Sequence, residues 1–413
     1  MNKEIEEYIV SYIFQRFELD NPVEYNSAER IIVIGKMRII VPELQRNTQP
    51  VKLELFNVQV PYYRYDKELG FTKSKNEFFL RYDLVGEVYD HLTLVYEKEG
   101  ILTPNSELVF YPLLDMKIYQ FYQELQEILP TLKYKLFDGK DFVVGVSHDI
   151  DRTGDSFKYR LITYFFQTIK QKRPLLILKG IFGKNEETNF KYIVEKEKEY
   201  DANSTWFVLT RYGLKLNADY HLKDKEFKKA FNLLTSNNKE IGIHIPYMEL
   251  EIDEIKKEFN KVKSNSKMGM RMHHLRGKYE ELMKILDQSD ITYDSTFGYN
   301  ERMAYRFGTS IPFHPIIQDE ILRNIYEIPL NIMDLQITDS LKYRKQIQKL
   351  FSILREVKGV CILNWHNNRF NKTKYGTIWI ETFNTSLDET LKQNGLLTNI
   401  ESILNLYKQK EIF

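Results

Sequence analysis

The sequence predicts an α/β protein: a (β/α) barrel preceded by a small α+β segment. Three observations predict it. From about residue 139 onward, short apolar and β-branched runs alternate with amphipathic stretches, the order expected of a parallel sheet covered by helices. About seven such strands fall within roughly 270 residues, which suits a closed or distorted barrel first and an open doubly wound sheet second. The first 138 residues lack that alternation.

Within the leading segment, Ile5, Tyr8, Ile9, Tyr12 and Ile13 fall at helical spacing and predict an amphipathic opening helix. Ile31–Ile34 and Met37–Val41 flank Gly35-Lys36, a two-residue hairpin turn with glycine first. Leu53–Val60 reads as a further strand, and Glu77–Tyr96 and Leu108–Leu129 as helices. No chemical motif lies here, so residues 1–138 read as an accessory packing domain and residues 139–413 as the domain that carries the chemistry.

In that second part the expected strands are Asp141–Ser147, Ser204–Thr210, Glu240–Ile245, Gly269–His274, Ile291–Asp294, Ile325–Ile332 and Val360–Trp365. The expected helices are Asp155–Lys172, Lys225–Thr235, Leu250–Val262, Tyr279–Gln288 and Ser340–Lys358. The basic stretch Lys172–Asn185 reads as an excursion between elements.

Composition narrows the class. Lys and Arg total 59 against 58 Asp and Glu, a net charge of +1, which argues against a dedicated nucleic-acid binder. Hydrophobic residues make up 43% and aromatics 14% of the 413 residues, ample for packed cores. Cys361 is the single cysteine, so there is neither an intrachain disulfide nor a cysteine zinc cage, and any metal is held by His and carboxylate. Glu4, Glu6 and Glu7 stand where a signal peptide needs a basic start. No apolar run reaches the roughly 18 residues of a membrane span. A cytoplasmic protein is expected. No glycine-rich phosphate loop is present, so a nucleotide cofactor is not indicated.

In parallel α/β proteins functional groups gather at the C-terminal ends of strands. Four such ends are unusually polar: His148-Asp149-Ile150-Asp151, His244, Arg271-Met272-His273-His274-Leu275-Arg276 and Asn364-Trp365-His366-Asn367-Asn368. In an extended chain residues i and i+2 share a face, so Asp149 and Asp151 project together. Two adjacent ionised carboxylates repel and call for a cation. A lone histidine at a strand end is more often structural than catalytic. Five of the eight histidines, however, sit in these four motifs.

These residues resemble the polysaccharide deacetylases (the NodB-homology, carbohydrate esterase 4 group), in the branch with an H-D-V/I-D motif and an additional N-terminal domain. The resemblance rests on Ser147–Asp151, Glu240–His244, Arg271–Arg276, Asp294–Tyr299, Tyr305–Thr309 and Trp365–Asn367, in the family's order. It implies a deformed (β/α)7 barrel that hydrolyses an N-acetyl group on a carbohydrate with one divalent metal, zinc by default. By position, Asp149 matches the catalytic base, Asp151 and His244 metal ligands, Arg306 the arginine that orients the base, and His366 the general acid. His148, Arg276 and Trp365 are candidates for substrate binding.

One departure stands out. The family's second metal histidine lies four residues after the first, and here that place is Met248, a poor ligand beside carboxylate. His273 is the expected substitute, with His274 and His148 as alternatives. Two other readings stay open: a sugar-binding member that has lost catalysis, and a metal-dependent glycosyltransferase using Asp149-x-Asp151.

Overall fold

The structure, a computed structural model, describes residues 1–135, 137–153, 161, 164–166, 168–169, 172–182, 189–213, 217–246, 251–262, 268–370 and 377–408. Its centre is a parallel sheet of β1 (Phe142–Ile150), β2 (Thr205–Leu209), β3 (Glu240–Ile245), β4 (Met268–Met272), β5 (Ile291–Asp294), β6 (Tyr326–Glu327), β7 (Ile332–Met333) and β8 (Val360–Asn364). They pair in the order β6-β5-β4-β3-β2-β1-β8-β7. A ninth strand, β9 (Gly395–Thr398), pairs with Phe142–Gly145 of β1, below the stretch Ser147–Ile150 that pairs with β2. All nine residues of β1 are buried, the pattern of a parallel strand covered on both faces.

The sheet is curled. Seven interstrand steps of about 4.8 Å would hold the edges of a flat sheet about 34 Å apart. The chain nevertheless passes from β6 to β7, at opposite ends of the strand order, through residues 328–331 alone. Those four residues reach across both sides: the Ile328 N–H donates to the Asp294 carbonyl on β5 at 2.9 Å, and the Asn331 N–H donates to the Ile362 carbonyl on β8 at 3.2 Å. The Asn331 side chain completes the seam, its Oδ1 accepting the Ile362 N–H at 2.7 Å. Sequence reasoning took Ile325–Ile332 as one strand. It is two short strands on opposite edges, because Pro329 has no N–H to give a ladder.

Helices Lys225–Ser236, Ile252–Val262, Tyr279–Asp287 and Ser340–Val357 lie between strands as expected. Ile255, Phe259 and Val262, buried on one face of their helix, show the spacing that makes the pattern readable. β1 runs three residues further than expected, so His148 and Asp149 lie within the strand. The expected helix Asp155–Lys172 and Met248 fall mostly or wholly outside the described residues. Helix Ile378–Lys392, β9 and helix Ile400–Lys408 are additions the sequence reading did not contain. Among the described residues, no helix is long and apolar enough to cross a membrane.

Ahead of this sheet, strands Val23–Asn26, Ile31–Ile34, Met37–Ile40, Glu77–Leu80 and Phe71–Ser74 form a five-stranded sheet in that order. Gly35 takes φ +60° at the expected hairpin. Two expectations change. Leu53–Val60 is a hairpin, Val51–Leu55 with Val58–Tyr62, turning on Phe56 and Asn57, which both have positive φ. Glu77–Tyr96 divides into strand Glu77–Leu80 and helix Leu84–Leu92, started by Asp83, whose Oδ1 accepts the Gly86 N–H.

The two parts meet at Tyr305–Thr309. Buried Asp115 accepts from Thr309 Oγ1 at 2.9 Å and the Ser310 N–H at 2.7 Å, and pairs with Arg16 at 2.9 Å. Gly308 has φ +66°, and a Cβ there would lie 2.4 Å from His91 Nδ1, so only glycine fits this contact.

Candidate metal centre and active site

The period of two along β1 sets the site. Ser147, Asp149 and Asp151 face one side of the strand and His148 the other. On the site side, Asp151, His244 at the end of β3 and His273 just after β4 place ligand atoms within 4.8 Å of one another. Asp151 Oδ1 lies 3.6 Å from both His244 Nε2 and His273 Nε2. That spacing is close to the roughly 3.3 Å edge of a tetrahedron with metal–ligand bonds of about 2.0 Å. Asp151 Oδ1 and His244 Nε2 are buried without a hydrogen-bond partner, a costly state for polar atoms unless a cation satisfies them. Opposite Nε2, His244 Nδ1 lies 2.9 Å from the Arg271 carbonyl. Nδ1 therefore carries the proton, and the Nε2 lone pair points at the cluster. Burial pushes the His244 imidazole down to about 4, with Asp149 opposing, which keeps it neutral, as a ligand must be. The chemistry of this donor set fits a divalent ion.

Asp149 adjoins the cluster, its Oδ2 3.6 Å from His244 Nε2. Arg271 Nη1 donates to its Oδ1 at 2.9 Å and Asn364 Nδ2 to its Oδ2 at 2.8 Å. Burial works to raise its pKa, but His244, Arg271 and His366 outweigh it and hold the carboxyl below the usual range. Burial also opposes ionisation of Asp151, and His273, His366 and His244 overcome it, so its carboxyl lies far below that range.

Arg271 is itself fully buried. It is fixed by bonds to the Ser147 Oγ at 3.0 Å, the Ser295 carbonyl at 2.9 Å and the Ser295 Oγ at 3.1 Å. Its guanidinium carbon stands 4.3 Å from the centre of the Phe207 ring.

His366 closes the other side. Its Nε2 lies 3.8 Å from Asp151 Oδ2 and 3.9 Å from Asp149 Oδ2, while its Nδ1 contacts Asp334 Oδ1 at 3.0 Å. Burial would lower the imidazole, yet the Asp334 carboxylate, with Asp151 and Asp149, raises it to about 9. That shift favours the protonated imidazole at neutral pH.

The remaining expected residues lie elsewhere. Arg306 is not at Asp149: its guanidinium pairs with Glu97 at 2.6 and 2.8 Å, where the leading segment docks. His148 is fully buried on the far face, with Nδ1 2.7 Å from the Trp365 carbonyl and Nε2 2.8 Å from Glu197. Glu197 also holds Lys239 at 2.8 Å, so His148 belongs to a buried polar network away from the site. Trp365 is fully buried, its indole donating to the Trp379 carbonyl, and cannot touch a substrate. Arg276 is exposed. His274, turned by φ +61°, stacks on His273 at 3.9 Å and stays outside the ligand cluster.

Three site residues escaped sequence reasoning. Arg271 and Asn364 lay inside motifs already singled out, and both point inward from strand ends. Asp334 follows β7, and the misread strand hid it.

No family model matches the chain, and no curated protein matches its sequence. Among solved structures it is similar to a protein described as a polysaccharide deacetylase from Mycobacterium smegmatis, with TM-score 0.45 and 13% identity over 68% of this chain and 94% of that one. It is also similar to the allantoinase PuuE, with TM-score 0.45 and 9% identity over 67% and 93% of the two chains. A third is the peptidoglycan deacetylase PdaC from Bacillus subtilis, with TM-score 0.30 and 10% identity over 67% and 96%. The roles assigned below rest on this chain's own residues.

Proposed function

We propose that the chain is a metal-dependent hydrolase of the polysaccharide deacetylase type, removing N-acetyl groups from an N-acetylated sugar or glycan precursor. In this reading residues 139–413 form the deformed (β/α)7 catalytic barrel and residues 1–138 its accessory domain. The observation that carries it is the pair of buried, unpartnered atoms Asp151 Oδ1 and His244 Nε2, set within reach of His273, Asp149 and His366. Asp151, His244 and His273 would hold the ion, and imidazole with carboxylate suits zinc. When bound, such an ion polarises an amide carbonyl and makes water acidic near neutral pH.

The protein's own groups divide the proton work. Asp149, kept ionised and oriented by Arg271 and Asn364, accepts a proton from the attacking water. The water oxygen adds to the acetyl carbon, and the bond from that carbon to nitrogen breaks. His366, charged through Asp334, donates from Nε2 to the departing nitrogen, leaving acetate and a free amine. The two groups have environments that separate them into one base and one acid, the usual sign of paired proton transfer.

Acetate release from N-acetylglucosamine oligomers and from nucleotide- and lipid-linked N-acetyl sugars tests the reading. Release that disappears in Asp149→Asn supports it. Sugar binding without release, across added zinc, cobalt, manganese and nickel, would instead support a sugar-binding protein that has lost catalysis.

A further inference from the structure

We propose that the described residues between Phe165 and Phe182 form a docking surface for an anionic lipid bilayer. Seven large apolar side chains between Phe165 and Phe182 are exposed, among them Phe166 at 63%, Leu175 at 75% and Phe182 at 80%. The rest of the described chain exposes only five others of that kind. A concentration of this sort on one short segment marks an interaction site rather than ordinary surface.

Charge selects the occupant. Residues 165–182 contain four Lys and Arg and no Asp or Glu, in a chain whose overall balance is +1. Lys172 and Arg173 are exposed beside the apolar groups. Phenylalanine, leucine and isoleucine mixed with unopposed cations suit the boundary between anionic headgroups and acyl chains. A protein interface usually mixes charges of both signs at its rim, and the sequence from Phe165 to Phe182 supplies no acidic residue.

The next described helix in the chain, Phe190–Glu199, sets its Tyr192 ring 6.2 Å from Phe370, four residues past His366. The surface stands whatever reaction the site performs.

Co-sedimentation of the full chain with vesicles tests it, using phosphatidylcholine alone and phosphatidylcholine mixed with phosphatidylglycerol. The expected result is binding to the mixed vesicles only, lost at high salt as the charges are screened. Lys172→Gln with Arg173→Gln should weaken it about 30-fold, at roughly fivefold per cation near an anionic surface. Phe166→Ser with Phe182→Ser should weaken it comparably while leaving the thermal melt unchanged, since both side chains are exposed. Absence of binding to the mixed vesicles, or binding indifferent to both double variants, would overturn the proposal. So would concentration-dependent self-association abolished by the phenylalanine variants, because the patch would then be covered by a second copy.

Discussion

His366 Nδ1 lies 3.0 Å from Asp334 Oδ1, and the same carboxylate receives the His366 backbone N–H at 2.8 Å. One acid therefore fixes both the position and the charge of the imidazole. Asp334 raises the histidine, so its removal lowers it. The proposed acid works protonated, and the rate falls as pH rises through its pKa. Asp334→Asn should move the descending limb of the kcat/KM profile to lower pH and reduce the plateau roughly 10- to 100-fold, within the usual worth of a positioned acid. An upper limb that stays in place would assign it to another group.

Two arginines compete for the role of positioning the base, and geometry separates them. Arg271→Met leaves Asp149 buried without its cation, a loss of about 3–5 kcal/mol for a broken buried pair, together with most of the activity. Arg306→Met breaks the contact with Glu97, whose pair is about one-fifth exposed, and costs roughly 1–3 kcal/mol of stability. Thermal melts and initial rates on both variants check this. Activity that survives Arg271→Met but not Arg306→Met reverses the assignment.

Metal content should follow the ligand cluster. Purified protein is expected to hold about one divalent ion per chain, by elemental analysis. Asp151→Ala, His244→Ala and His273→Ala should each lower affinity at least tenfold, whereas His274→Ala should leave it unchanged. Equal losses at His273 and His274 would mean that the third ligand is not fixed.

A buried acid pair predicts a stability trend with pH. Asp294 and Glu327 are register partners on β5 and β6, both fully buried. Burial pushes Asp294 up to about 6, and burial with the Asp294 charge raises Glu327 further above its ordinary value. This pair therefore holds more protons in the folded chain than in the unfolded chain from the ordinary carboxylate range up through those raised values, and its contribution to stability falls as pH rises across that window. Glu327→Gln removes one of these acids. The variant should melt about 1 °C higher at pH 8, roughly 1 kcal/mol, with the difference vanishing near pH 4. A constant offset at all pH values would point to packing instead of charge.

Much of the site was readable because strand periodicity is rigid. The alternation that joins Asp149 and Asp151 on one face is legible in five residues, and the same alternation sends His148 to the opposite face. The histidine-rich strand ends were readable because functional groups collect there in parallel sheets. Arg271 was harder: arginine in the interior is rare, and only the three-dimensional approach of β4 to β1 reveals its partner. The division of Ile325–Ile332 had a sequence signal in Pro329. Overlooking it concealed β7 and, directly after it, Asp334. The hairpin at Phe56-Asn57 had little signal, since phenylalanine seldom occupies a left-handed turn position.

The Asn331 seam bears on the order in which the chain assembles. Every proposed metal ligand and the proposed base are synthesised by residue 273. The second edge of β1, however, awaits β8, and the lower half of the edge it shares with β2 awaits β9, some 250 residues after β1 itself. A nascent chain therefore carries a nearly complete ion-binding set on an apolar strand with an open edge, a state prone to mispairing. The acid pair Asp334–His366 arrives with the strands that close that edge. Proton donation is thus acquired in the same event that closes this second edge, and a half-finished chain would have ligands for an ion but no acid to turn over an amide.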